Sequence, residues 1–371
     1  MHAAANNLRG GGVSPRGTLL RGQSIIEYVL IVAIIGLVVV FAGPQVSQAI
    51  HNQFGSVTNT LASGTHGGGF TGAGGTSSGG AGSNTPNQEQ IKYLESMKSV
   101  TEKDAKDWTL ADQQLAAEDI AKRGTASVAF PKAREAMDAG TEFSVKLTNG
   151  QALTYRIVGI NHDDLADGSG KAGLTFLTTS TNISSRMNAE NFNTGGWEKS
   201  ELRQKMNSGE IWNLMPSDFQ SKVKSVKKLT NNVGGGEENK NATVTATSDR
   251  LFLLSYSEIV PTSCWASDYP APDALDPDAP DPEPAPDYPW TPSDYPWTSS
   301  EGAQYEAFRG KVTNNFSGNS AIAIGNRWWE RSVSVSPNDY DSFLSVGADG
   351  DPTGKIDFAT NLYCVCPAWC F

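Results

Sequence analysis

One stretch dominates what this chain can become: Ile25 to Ala42, reading IIEYVLIVAIIGLVVVFA, is apolar throughout except for Glu27. As a helix it would be about 27 Å long, close to the hydrocarbon thickness of a bilayer. Arg9, Arg16 and Arg21 precede it with no acidic residue before Glu27. That asymmetry predicts a cytoplasmic N-terminus and an extracellular remainder, a single-pass arrangement. A secretory signal peptide would have a shorter apolar core followed by small residues, for which Phe41-Ala42-Gly43-Pro44 is the candidate cleavage site. The formal net charge of -11 argues against a nucleic-acid partner, because phosphate contacts need Lys and Arg.

Glu27 is the informative residue, since a carboxylate inside a lipid-facing helix costs about 2.5–3.5 kcal/mol and needs a partner or a task. The stretch Gly22-Gln23-Ser24-Ile25-Ile26-Glu27-Tyr28 resembles the processing site of type IV prepilins of the short Flp, tight-adherence type. The resemblance implies cleavage by a prepilin peptidase between Gly22 and Gln23. It also implies that Glu27, with Tyr28 beside it, neutralises the new α-amine of a neighbouring pilin subunit during assembly. It continues through Gln45–Ile50 and Phe54 to Leu61, an amphipathic extension. The domain plan expected on these grounds is a leader over 1–22, a pilin-like helix over 23–62 and a linker over 63–87.

The linker contains GTHGGGFTGAGGTSSGGAG from Gly64 to Gly82, a flexible-coil composition that separates the anchor from the remainder of the chain. Residues 88–139 read as a helical segment. Ile91, Leu94 and Met97 recur at helical spacing, and Thr109 is placed to cap a helix with Asp112 in its first turn and Leu115, Ala116 and Ile120 on its buried stripe. From Glu142 the period becomes two: Phe143, Val145 and Leu147, then Asn149-Gly150 as a hairpin turn, then Leu153, Tyr155 and Ile157. Further helices are expected over Trp197–Asn207 and Pro216–Val226, and strands over Leu251–Leu254, Ala321–Ile324 and Tyr363–Trp369. This mixture predicts an α+β domain over 140–371. Residues 268–301 interrupt it with an acidic, Pro-rich insertion lacking Lys and Arg, in which Asp287–Thr291 is repeated as Asp294–Thr298. Its composition is that of an extended polyproline-II rod, suited either to a surface loop or to contact with a host or glycan ligand.

Three motifs stand in order beyond residue 140: Gly195-Gly196-Trp197 with Ser200, Leu202 and Arg203; Asp249-Arg250-Leu251-Phe252-Leu253-Leu254-Ser255 with Glu258; and Trp328-Trp329-Glu330-Arg331-Ser332. Together they resemble the bacterial domain family DUF6273. That resemblance implies an exported or surface protein of a Gram-positive bacterium and, at the level of fold, similarity to C-type-lectin-like and sulfatase-modifying domains. The final strand departs from the family's Val-Arg-Pro, reading Val365-Cys366-Pro367 here. Trp197, Trp328 and Trp329 read as core, and Arg203 and Arg331 as cations paired with carboxylates.

Cys264, Cys364, Cys366 and Cys370 are even in number in a chain expected to be exported, which predicts structural disulfides. The preferred pattern joins Cys264 to the C-terminal strand and closes a second bridge on Cys370, while a thiol or copper catalyst is the alternative use. Asp349-Gly350-Asp351 with Asp357, and Asp163-Asp164 with Asp167, have spacings compatible with Ca²⁺ but also with ordinary turns, and neither matches an EF-hand. His162, one of four histidines, stands beside Asp163 with no Ser or Cys nucleophile in a local motif. No metal, cofactor or catalytic residue is assigned. The expected function is that of a surface-displayed minor pilin-like protein with a structural or adhesive role. The alternatives are a membrane-tethered enzyme and an anchored binding module without a fibre.

Overall fold

A computed structural model describes residues 88–232, 244–261, 301–313, 318–334, 341–352 and 355–371. The leader, the pilin-like helix, the linker, Cys264 and residues 268–300 of the insertion lie outside these residues, as do Gly22, Gln23, Glu27 and Tyr28. Among the described residues no helix is long and apolar enough to cross a membrane.

The described part is a mixed α+β fold. It opens with helices α1 (Gln88–Ser96), α2 (Lys98–Glu102), α3 (Leu110–Arg123) and α4 (Phe130–Ala139). Thr109 caps α3 reciprocally with Asp112: the Thr109 hydroxyl accepts from the Asp112 amide, and the Asp112 carboxylate accepts from the Thr109 amide at 2.9 Å. Burial would raise the Asp112 carboxyl, but Lys103 at 2.6 Å and the Thr109 donors hold it down at about 2. Ala116 and Ile120 are fully buried and Leu115 packs at the edge of the core. Thr109→Ala is expected to lower stability by about 1 kcal/mol, read as a shift of the thermal midpoint. An unchanged midpoint would mean that Lys103 alone positions Asp112.

β1 (Glu142–Lys146) and β2 (Ala152–Ile160) form the expected hairpin, with Gly150 at φ 87° in its turn. With β3 (Leu174–Thr178) and β11 (Ala368–Cys370) they make an antiparallel sheet in the order β1-β2-β3-β11, on which α3 and α4 lie. A second sheet has the order β4-β10-β7-β8-β9, from Ser184–Ser185, Tyr363–Cys364, Trp328–Val333, Ser342–Val346 and Lys355–Phe358. A two-stranded ribbon, β5 (Val226–Asn231) with β6 (Val244–Asp249), completes the strands. The short helices are α5 (Gly196–Lys199), α6 (Glu201–Asn207), α7 (Glu210–Leu214), α8 (Ser217–Gln220) and α9 (Tyr256–Ile259).

Several expected elements differ. The helix expected over Trp197–Asn207 breaks at Ser200, whose extended backbone and hydroxyl cap α6. Helix over Pro216–Val226 is confined to α8, because Val226 onward is taken into the ribbon with β6. Leu251–Leu254 makes one bridge, Phe252 to Ala368, rather than a strand, although all four side chains are buried. Ala321 and Ile322 form a turn around Asn319, whose carbonyl accepts the amides of Ile322 and Ala323. The closing strand divides at Cys366-Pro367: β10 joins one sheet and β11 the other, since proline has no amide to continue a ladder. Trp328–Val333, seen only as a motif, is a central strand with every residue buried.

Candidate functional site

Two sheets and a ribbon bring five charged side chains into the protein interior. β2 ends at Ile160, and Asn161 then adopts a left-handed turn, φ 51°, which a non-glycine residue rarely takes. The turn delivers His162 and Asp163. Alternation along β5 turns Lys228 inward, between exposed Lys227 and half-buried Leu229. Glu258 comes from α9, where it is also the third residue of a capping box with Ser255. Arg331 lies in β7 between Trp329 and Val333, where the register of the sheet shifts. Glu301 ends the insertion and Tyr305 follows it.

These groups form one network. Lys228 Nζ lies 2.6 Å from Asp163 Oδ1, 2.5 Å from Glu258 Oε1 and 3.0 Å from the Tyr305 hydroxyl, and 4.2 Å from the centre of the Phe252 ring. Arg331 Nη1 lies 2.5 Å from Glu258 Oε2, and its other donors reach Leu229 O, Leu253 O, Glu301 O and Thr230 Oγ1. The Thr175 hydroxyl donates to Asp163 Oδ2 at 2.6 Å, and the Tyr305 hydroxyl contacts both Asp163 oxygens. Tyr305 is admitted because Gly159 has no side chain there: a Cβ at that position would stand 2.8 Å from the tyrosine ring.

The electrostatics divide the acids into two classes. Burial alone would raise Glu258 and Asp163, but Arg331 and Lys228 hold Glu258 below the ordinary range, and Lys228 and His162 do so for Asp163. Glu301 is pushed up to about 7 by burial, against the pull of Arg331. Glu330 is raised well above its ordinary range by burial and by Glu301, and neither of its carboxyl oxygens has a hydrogen-bond partner among the described residues.

Above the network opens a cleft of about 370 Å³. Lys228, Glu258 and Glu301 contribute to its lining, with His162, Glu306 and Arg309 nearer the solvent. His162 Nδ1 is 3.2 Å from Glu306 and its ring stacks on Tyr305 with centroids 4.1 Å apart. Among the described residues, no group of three or more His, Cys, Asp or Glu is arranged to hold a metal ion. Asp164 instead pairs with Lys171, Asp167 accepts from Ser169, and Asp349 accepts from the Asp351 amide in a turn.

The remaining residues singled out in the sequence stand apart from this site or beneath it. Trp197 donates its indole N–H to Asp249 at 2.9 Å and Arg203 meets the other Asp249 oxygen at 2.7 Å. Gly196 approaches Asn231 and Asn232 so closely that a Cβ would stand 2.8 Å from their backbone. Trp328 and Trp329 are buried and donate to Ile322 O and Ser185 O. Cys364, Cys366 and Cys370 are buried free thiols, so the bridge expected to close on Cys370 is not formed among them; Cys264 lies outside the described residues. Cys370 instead contacts Thr175 and Asp163, and burial raises all three thiols, the reverse of activation. Of the network, sequence reasoning singled out Arg331, noted Glu258 within a motif and took Asp163 for a turn. It missed Lys228, Glu301 and Tyr305. Ser255-Tyr256-Ser257-Glu258 is a capping-box pattern that could have located α9. Nothing local distinguishes Lys228 from its neighbour Lys227.

A family model described as a domain of unknown function, DUF6273, matches residues 172–370, more than half of the chain. No curated protein and no solved structure matches the chain.

Proposed function

The chain belongs to the DUF6273 family, and on that premise we propose that it is a surface-displayed, minor pilin-like protein with a structural or adhesive role. The observation that carries this reading is the interior network itself. Arg331, Glu258, Lys228 and Asp163 satisfy one another beneath the cleft, tying together the turn, ribbon, helix and strand that form its floor. Such a domain, placed beyond a Gly-rich spacer and an anchor of the Flp type, is built to be held out from an envelope or a fibre. The lectin-like layout suggested by the motifs is the fold-level counterpart of that role. Prepilin peptidase, other pilin subunits and the membrane are its partners in assembly, and a host or glycan ligand its partner outside. A thiol enzyme is disfavoured by the raised, buried cysteines.

N-terminal sequencing of sheared surface material tests the display. Processing predicts a chain starting at Gln23, and Glu27→Ala is expected to insert in the membrane yet disappear from sheared fibres. A chain starting at Met1 and confined to membranes would remove the fibre from the proposal. A start after Ala42 or Gly43 would make the protein secreted and overturn the pilin reading.

A further inference from the structure

Burying a lysine against a carboxylate is unfavourable unless the arrangement compensates for the water both have lost. Here Lys228 and Asp163 are almost wholly enclosed, with side-chain exposures of 2% and 3%, and Glu258 is enclosed equally. The amine is pinned from two sides: Asp163 Oδ1 at 2.6 Å and Glu258 Oε1 at 2.5 Å. The other Asp163 oxygen, Oδ2, accepts from Thr175 at 2.6 Å and from Tyr305 at 3.0 Å. A nucleophile, a carboxyl carbon, a second carboxylate able to move protons, and two hydroxyl donors on the oxygen that stays behind therefore meet in one nearly enclosed compartment at the floor of the cleft.

We propose that Lys228 and Asp163 condense into an intramolecular amide bond, with Glu258 relaying the protons. Glu258 takes a proton from the Lys228 ammonium, freeing the Nζ lone pair. A contact of 2.6 Å to Oδ1 brings Nζ within about the 3–3.5 Å of the Asp163 carbon that a reacting pair requires. Attack forms the N–C bond and moves charge onto Oδ2, where the Thr175 and Tyr305 hydroxyls hold it. The C–Oδ1 bond then breaks. Oδ1 leaves as water with two of the three ammonium protons, both delivered through Glu258, and the third stays on the amide nitrogen. Charge is conserved, and no oxidant, reductant or activated co-substrate is consumed.

The surroundings suit the product as well as the reactants. Before condensation the compartment holds two cations, Lys228 and Arg331, against two anions, Asp163 and Glu258. Afterwards Arg331 and Glu258, which are 2.5 Å apart in the structure, remain to neutralise each other. Condensation thus removes two buried charges without stranding a third. It also joins two strands' ends that are 65 residues apart in the chain, the turn after β2 and the inner face of β5. This cross-link does not depend on display at the surface.

Mass spectrometry of the purified full-length chain tests it. The folded protein is expected to be lighter than its sequence by one water. Trypsin is expected not to cleave after Lys228, because its amine is acylated, and tandem spectra are expected to show a branched peptide joining Lys228 to Asp163. Lys228→Arg and Glu258→Gln should each restore the full mass. Whether or not those variants fold, the unsubstituted chain decides the matter. Full mass with normal cleavage after Lys228 overturns the proposal. So does a lost water that maps to Asp349-Gly350, where an aspartate can cyclise on its own. A cross-link that persists in Glu258→Gln would overturn the assignment of the relay to Glu258. A start at Gln23 or Met1 is scored separately in the same spectra, so the display reading and the cross-link fail independently.

Discussion

Arg331→Met is expected to lower the domain's unfolding free energy by about 3–5 kcal/mol, a large part of what a domain of this size possesses. The loss has two sources. Glu258 keeps its burial but loses a charge partner at 2.5 Å. The carbonyls of Leu229, Leu253 and Glu301 lose the donors that tie the ribbon, the chain before α9 and the chain after the insertion to β7. Arg331→Lys should recover only part of the loss, because an ammonium cannot reproduce the planar fork of donors. Urea titration followed by far-UV circular dichroism measures both variants. A loss below about 1 kcal/mol would mean that Lys228 alone neutralises Glu258.

The second large effect is on pH. Glu301 holds its proton in the folded protein up to about 7, whereas the unfolded side chain releases it near 4.5. Between those values the folded state binds the extra proton, so its contribution is complete below 4.5 and is lost as pH rises through 7. The slope is about 1.4 kcal/mol per pH unit for each proton held. Glu330, held well above its ordinary range by burial, acts in the same direction. Glu258 acts oppositely: held below its ordinary range, it contributes above its unfolded value and loses that contribution as pH falls. Stability is therefore expected to peak in mild acid and to fall on the alkaline side. Glu330→Met, which replaces an unpartnered buried carboxyl with an apolar chain of similar length, should gain about 1–4 kcal/mol at pH 8 and much less at pH 5. Melting curves from pH 4 to 9 compare the two proteins. An equal gain at both pH values would show that Glu330 ionises in the folded protein as it does in the unfolded chain.

Much of the secondary structure was legible because it is local. Thr109 with Asp112, the alternation from Phe143 to Leu147, and Asn149-Gly150 each specify their element within a few residues. The misjudged elements are those whose partner lies far away. Val226 belongs to a strand because Asp249 pairs with it, and Ala368 leaves the strand of Tyr363 because Leu177 pairs with it. The motif around Trp328 carried family information but concealed a strand, since a run buried on both faces has no alternation to read.

By itself, the sequence determined an apolar run preceded by basic residues, a Gly-rich spacer, an α+β domain of the DUF6273 family and the identity of its large core aromatics. The run, the spacer and the fold class come from composition or from spacing along a short stretch, whereas the family comes from the resemblance of motifs spread between Gly195 and Ser332 and from the family model that matches residues 172–370. Only the tertiary structure decided that Lys228 differs from Lys227. One faces Asp163 and Glu258 inside the protein while the other is exposed, although they are neighbours of the same type. A side chain's chemistry is set by which distant groups replace its water, and Asp163, Lys228, Glu258, Glu301 and Arg331 meet only after two sheets and a ribbon have closed around them.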